Sequence, residues 1–226
     1  MSGSTLLPLK RLAAGMNADG SPHMEGNTMK LNPAETAVLV CHLQKDVIEN
    51  QQALGAFMAA EATRRDVVGA ANRLLKAADA GAALPVLVRI AWRADRSNML
   101  LNLPLTQGAI EMNALVDGLP GADFVADLDR VPGELVETHH NPNPFRGNDL
   151  HEILQRRGVK TLVVCGVATN MAVLSTAFAA VDLGYRVIVA EGACSAQSEE
   201  THRFALETLG MLGEIADIDD VISALS

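Results

Sequence analysis

The chain has 226 residues, 49% of them hydrophobic, and a formal net charge of −9 at pH 7. That length and composition fit one α/β domain with a substantial core. The acidic balance argues against a nonspecific nucleic-acid or anionic-membrane surface, and no apolar run reaches the roughly 18 residues of a bilayer span.

Residues 1–33 carry glycine, serine, asparagine and proline without periodicity and read as an irregular arm, with His23 as a solvated loop histidine. Residues 34–226 read as the domain. Leu6-Leu7-Pro8-Leu9 is too short for a signal-peptide core. Residues 36–42 are an apolar run suited to a buried parallel strand. Residues 52–80 are alanine-rich and periodic, a helix broken in two, with Gly81 as its stop. A second strand follows over 85–92. Residues 93–131 are long and mixed, which in a compact domain marks a functional segment or short embedded elements. Residues 135–139 form a third strand. Residues 148–157 form a helix with Asn148 as N-cap and Gly158 after it. A fourth strand (161–165), a helix (169–183), a fifth strand (186–191), a helix (198–211), a short strand (214–217) and a last helix (219–225) complete the chain.

Such alternation implies a doubly wound, mostly parallel sheet with helices on both faces. Ligands bind outside the carboxyl ends of such strands. His42 ends the first strand, His139 and His140 end the third, and residues 166–172 follow the fourth. Distant stretches are thereby expected to share one edge.

Five segments carry a further signal. Ala37-Val38-Leu39-Val40-Cys41-His42-Leu43-Gln44 forms the first strand. His139 precedes Phe145-Arg146-Gly147-Asn148-Asp149-Leu150. GVATNMAVLSTA, residues 166–177, turns from strand to helix. Gly184-Tyr185-Arg186-Val187 and Glu199-Glu200-Thr201-His202 close the domain. In this order and spacing, residues 36–225 resemble the isochorismatase-like cysteine hydrolases. The resemblance implies a Rossmann-like three-layer fold and a cis peptide between Val167 and Ala168. It also implies an oxyanion site at the backbone of Ala168 and Ala172. The aspartate, lysine and cysteine of the family triad fall on His42, His139 and Ala172, and the aspartate usual after the fifth strand falls on Gly192. An alanine side chain cannot attack a carbonyl, so covalent catalysis from that position is excluded.

The two imidazoles at former triad positions suggest retained proton chemistry, His42 activating water and His139 donating a proton or polarising the substrate. The opposing reading is an abandoned pocket with both rings merely satisfying buried hydrogen bonds. Gln44, Trp92, Arg93, Arg96, Phe145 and Thr169 are the expected substrate contacts. Trp92 and Phe145 would wall the pocket, and Arg93 and Arg96 would grip a carboxylate. A zinc set of His42, His139 and His140 is disfavoured because neighbouring strand residues point to opposite faces. No metal and no cofactor is expected. Cys41 and Cys165 read as small buried hydrophobes, Cys194 as a relocated thiol without a supporting signature, and His151 and His202 as surface or helix-packing residues. Three cysteines without metal or disulfide spacing point to a reducing cytoplasm. The resulting expectation is a homo-oligomeric, noncovalent hydrolase of a small carbonyl- or enol-ether-containing metabolite. Its rivals are a catalytically inactive ligand-binding or scaffold homologue, and a lyase or isomerase using the same histidines.

Overall fold

A computed structural model describes residues 29–226. Residues 1–28 of the expected arm, His23 among them, lie outside the described residues. The strands are β1 (Thr36–Cys41), β2 (Leu84–Ile90), β3 (Leu135–His139), β4 (Thr161–Val167), β5 (Arg186–Ser195) and β6 (Glu214–Ala216). The helices are α1 (Lys45–Ile48), α2 (Gly55–Arg64), α3 (Val67–Ala80), α4 (Pro104–Glu111), α5 (Leu150–Arg156), α6 (Leu174–Asp182), α7 (Glu199–Leu212) and α8 (Ile218–Leu225). All strand pairs are parallel, in the order β3-β2-β1-β4-β5-β6. This is the doubly wound sheet expected from the alternation of elements.

Every residue of β1 and β4 is buried. Apolar side chains on both faces suit a central parallel strand covered by helices on each side. Helix α3 turns Val67, Ala71, Leu74, Leu75 and Ala78 inward, the 3.6-residue stripe of a core-facing helix. Each fully buried leucine there contributes about 2 kcal/mol. Helices α3 and α8 pack on each other, and so do α6 and α7. Helix α7 starts at Ser198, whose hydroxyl accepts the Thr201 N–H at 3.2 Å, a cap worth about 1 kcal/mol.

The strand order reverses between β1 and β4, which opens a crevice beyond their carboxyl ends. Register aligns those ends. Cys41 sits opposite Val88 and Gly166, and Ile90 sits opposite His139. Gly166 is required there. Its φ is +112°, and a Cβ would collide with the Cys41 carbonyl oxygen.

Three elements depart from the sequence reading. The second strand ends at Ile90, and Trp92 then makes a single bridge to Val116 as the chain enters the long segment. The helix expected over 169–183 opens as a π-helical turn (Thr169–Val173), closed by Val173 N–H to Ala168 O at 3.2 Å, before α6 begins. Strand β5 runs on to Ser195 because the register shifts past Val189, letting Cys194 rejoin Gly166.

Candidate active site

His42 leaves β1 in the left-handed backbone region, with φ 54°. That conformation costs about 1–3 kcal/mol in a residue with a Cβ. It persists because the His42 N–H is held by Val88 O at 2.9 Å and the ring is held by His139. The two rings meet across the end of β2, Nε2 to Nε2, at 2.6 Å. Their planes differ by 23° and their centroids are 4.9 Å apart, so they touch edge to edge through their nitrogens.

The proton positions follow from the acceptors. His139 Nδ1 lies 2.6 Å from the carbonyl oxygen of Asn141. A carbonyl only accepts, so this nitrogen carries the hydrogen. In the neutral ring Nε2 is then a lone pair, and His42 Nε2–H must donate to it. The Nδ1 of neutral His42 is thereby left as a lone pair, with no hydrogen-bond partner among the described residues. Burial lowers both pKa values. His42 is pulled well below 6.5 by burial and then by its neighbour His139. His139 is pulled to about 4 by burial, against the opposing effect of its bond to Asn141. Both rings are neutral at pH 7.

His42 faces a cavity of about 100 Å³. Trp92, Leu115, Ala168, Met171 and Ala172 form parts of its wall, and the long segment adds Leu103, Leu105, Thr106 and Ala109. Two buried side chains tie that segment to α1. Asp46 accepts the Leu115 N–H at 2.7 Å. Gln44 donates to Ile90 O and Ala122 O and accepts the Ile90 N–H. The Val167–Ala168 peptide is cis, as the resemblance implied.

This arrangement sits within a match to the isochorismatase domain that spans residues 36–220. The chain belongs to the isochorismatase family. It is 30% identical over 200 residues to the uncharacterized isochorismatase family protein YecD of Escherichia coli, covering 87% of this chain and 100% of that one. Streptothricin hydrolase of Streptomyces noursei is 34% identical over 107 residues, 42% of this chain and 38% of that protein. A cysteine hydrolase from Pseudomonas syringae pv. phaseolicola shares the fold, with TM-score 0.78 and 24% identity over 89% of this chain and 98% of that one.

In this isochorismatase-family site, the expected residues separate into two groups. His42, Trp92, Ala168 and Ala172 line the cavity; His139, Gln44, Arg93, Arg96, Phe145 and Thr169 do not. His139 is 1% exposed and both its nitrogens are engaged, which corrects its expected role as a direct proton donor to substrate. Gln44 clamps backbone, and every polar atom of its amide group is occupied. Arg93 is exposed. The Arg96 guanidinium is tied to Ala114 O at 3.0 Å and to Asn113. Phe145 stacks on Tyr185 with ring centroids 6.2 Å apart.

Thr169 belongs to a relay that sequence reasoning missed. Its hydroxyl pairs with His202 Nδ1 at 2.8 Å. His202 Nε2 donates to Glu191 at 3.0 Å, and Arg65 donates to Glu191 at 2.6 Å. His202 first, and Arg65 after it, hold the Glu191 carboxyl down to about 2 against the effect of burial. His202 is 1% exposed. Its spacing to Ala205 and Leu209, both buried on the same helix face, was the available signal. His140 was also underrated. It lines the cavity, and its Nδ1 donates to Ala91 O at 2.7 Å.

All three cysteines are buried and off the cavity. Burial pushes the Cys41 thiol up to about 12 and raises those of Cys165 and Cys194. A relocated thiolate at Cys194 therefore has no support. Among the described residues, no group of three or more His, Cys, Asp or Glu side chains is gathered to hold a metal. No helix among them is long and apolar enough to cross a membrane.

Proposed function

We propose that this isochorismatase-family protein hydrolyses a small carbonyl- or enol-ether-containing metabolite without a covalent enzyme intermediate, and that the residues aligned with the family triad work as a histidine dyad. The observation that carries this reading is the 2.6 Å contact between His42 and His139 at an otherwise apolar cavity. A relative named for hydrolysis, the streptothricin hydrolase, is consistent with the reaction class.

With a carbonyl substrate, His42 Nδ1 takes a proton from a water molecule. The water oxygen bonds to the carbonyl carbon, and the carbonyl electron pair moves to its oxygen. Backbone N–H groups around Ala168 and Ala172 stabilise that oxyanion. Collapse of the adduct breaks the bond to the leaving group, which takes the proton back from His42. His139 stays in place. Its lone pair accepts from His42 Nε2–H and stabilises the imidazolium, while Asn141 O holds its tautomer, the task a carboxylate performs in hydrolytic triads.

The test is turnover in ¹⁸O-labelled water against a panel of small esters, amides and enol ethers, read by mass spectrometry. One labelled oxygen per product is expected, and His42→Ala is expected to lower kcat by about 10²–10⁴-fold. Unlabelled product would assign the chemistry to a lyase or isomerase. An unchanged rate in the variant, or no turnover by the wild type on any substrate, would leave a binding protein.

A further inference from the structure

The polar atoms of the cavity are wired in one sense. Thr106 Oγ1 donates to the carbonyls of Leu100 or Leu103, each at 2.8 Å. Ser175 Oγ donates to Pro142 O at 2.6 Å, with Ala172 O at 3.2 Å as a second acceptor. Trp92 Nε1–H is held by His140 O at 3.0 Å. His140 Nδ1–H is held by Ala91 O, and His42 Nε2–H by His139. Every side-chain N–H or O–H of the lining is therefore engaged by the protein. What remains is the lone pair at Nδ1 of the neutral His42 ring. No Lys, Arg, Asp or Glu lines the cavity among the described residues.

We infer that this cavity takes an uncharged, compact apolar molecule that donates a hydrogen bond, and that it turns carboxylates away. A full carboxylate charge entering the space loses its water, finds no cationic side chain and no free side-chain donor, and meets the His42 Nδ1 lone pair. The backbone N–H groups around Ala168 and Ala172, suited to a polarised neutral carbonyl, offset only part of that cost. The arginines expected to grip a carboxylate are committed elsewhere. Arg93 is exposed off the cavity, and Arg96 holds Ala114 O. An N–H or O–H of the ligand completes the one histidine nitrogen that the dyad leaves open. This inference deepens the hydrolase reading and rests on it for the occupant being a substrate. The selectivity itself is read from binding and needs no turnover.

Trp92 is the sole tryptophan of the chain and a wall of the cavity, so its fluorescence reports occupancy directly. Three probes of one size separate the terms: isobutanol (neutral donor), isopropyl methyl ether (neutral, acceptor only) and isobutyrate (anion). Titrated against the full-length protein at pH 7.5, isobutanol is expected to bind at least about tenfold more tightly than isobutyrate and several-fold more tightly than the ether. Isobutyrate binding as well as isobutanol would overturn the exclusion of anions. Equal affinity of ether and alcohol would overturn the preference for donors, and no response to any probe would overturn the apolar site. A protein that shows the expected selectivity but hydrolyses nothing would refute the catalytic reading alone.

Discussion

At the scale of single residues, the site depends on which nitrogen carries which proton. Asn141 O fixes His139, His139 fixes His42, and His42 is left with a basic nitrogen at the cavity. A base acts in its unprotonated form, and burial has moved the His42 pKa well below 6.5. The acid limb of kcat/KM is therefore expected below that value, with a flat profile from pH 6.5 to 7.5. A limb centred near 6.5 would mean a solvated His42. Replacing His139 with leucine removes the acceptor of His42 Nε2–H. It is expected to lower kcat by about 10–100-fold with little change in KM, and His139→Gln, which retains an acceptor, is expected to recover part of the loss. The meeting of these two rings was legible in the sequence, because both end parallel strands of one sheet. The inaccessibility of His139 was not, since it depends on how the chain folds back at Asn141 after the strand has ended. The commitments of Gln44 and Arg96 to backbone carbonyls were hidden for the same reason. Two of those partners, Ala122 and Ala114, lie in the long mixed segment 93–131.

At the scale of elements, the turn from β4 to α6 is held from both sides. Gly166 lies against Cys41, and Thr169 is pinned to His202. Gly166→Ala combines a left-handed φ with a backbone collision, so a loss of at least about 2–3 kcal/mol is expected in denaturant unfolding. An unchanged midpoint would refute the close approach. Thr169→Val leaves His202 Nδ1 buried without a partner. It is expected to cost about 1–3 kcal/mol, with loss of the α7 contact visible as faster amide exchange across 169–173. The strand–turn–helix was legible from its glycine and the apolar run before it. Its π-helical opening was not, because Thr169 is held by a helix that begins far along the chain. Strand β5 was read too short for a similar reason. Its irregular stretch breaks alternation at Glu191, the residue that answers His202 and Arg65.

At the scale of the whole molecule, the topology supplies the crevice and the buried histidines couple stability to pH. A histidine with a depressed folded-state pKa favours the folded state while it is neutral. The contribution of His139 is complete above pH 6.5 and is lost as pH falls from 6.5 to about 4, where both states bind the proton equally. The size is about 3 kcal/mol. Denaturant unfolding is expected to show that decline, and His139→Leu is expected to make it shallower, leaving the part that the buried His42 contributes. Equal slopes in both proteins would contradict the burial of His139. Glu191 acts in a lower window, its contribution fading as pH falls from 4.5 toward 2, so the two carry separable signatures. Strand order and helix layers followed from the alternation of elements and from buried β-branched runs. The apolar cavity lining, with no charged side chain among the described residues, did not, because it is assembled from segments that touch only after the sheet has formed.

The state of the dyad is open to direct inspection by ¹⁵N NMR of the imidazole rings at pH 7. The expected spectrum has both rings neutral, His139 protonated at Nδ1, His42 protonated at Nε2, and His139 titrating near 4. A His42 ring protonated at Nδ1, or two rings titrating near 6.5, would contradict the proposed base and the mechanism built on it.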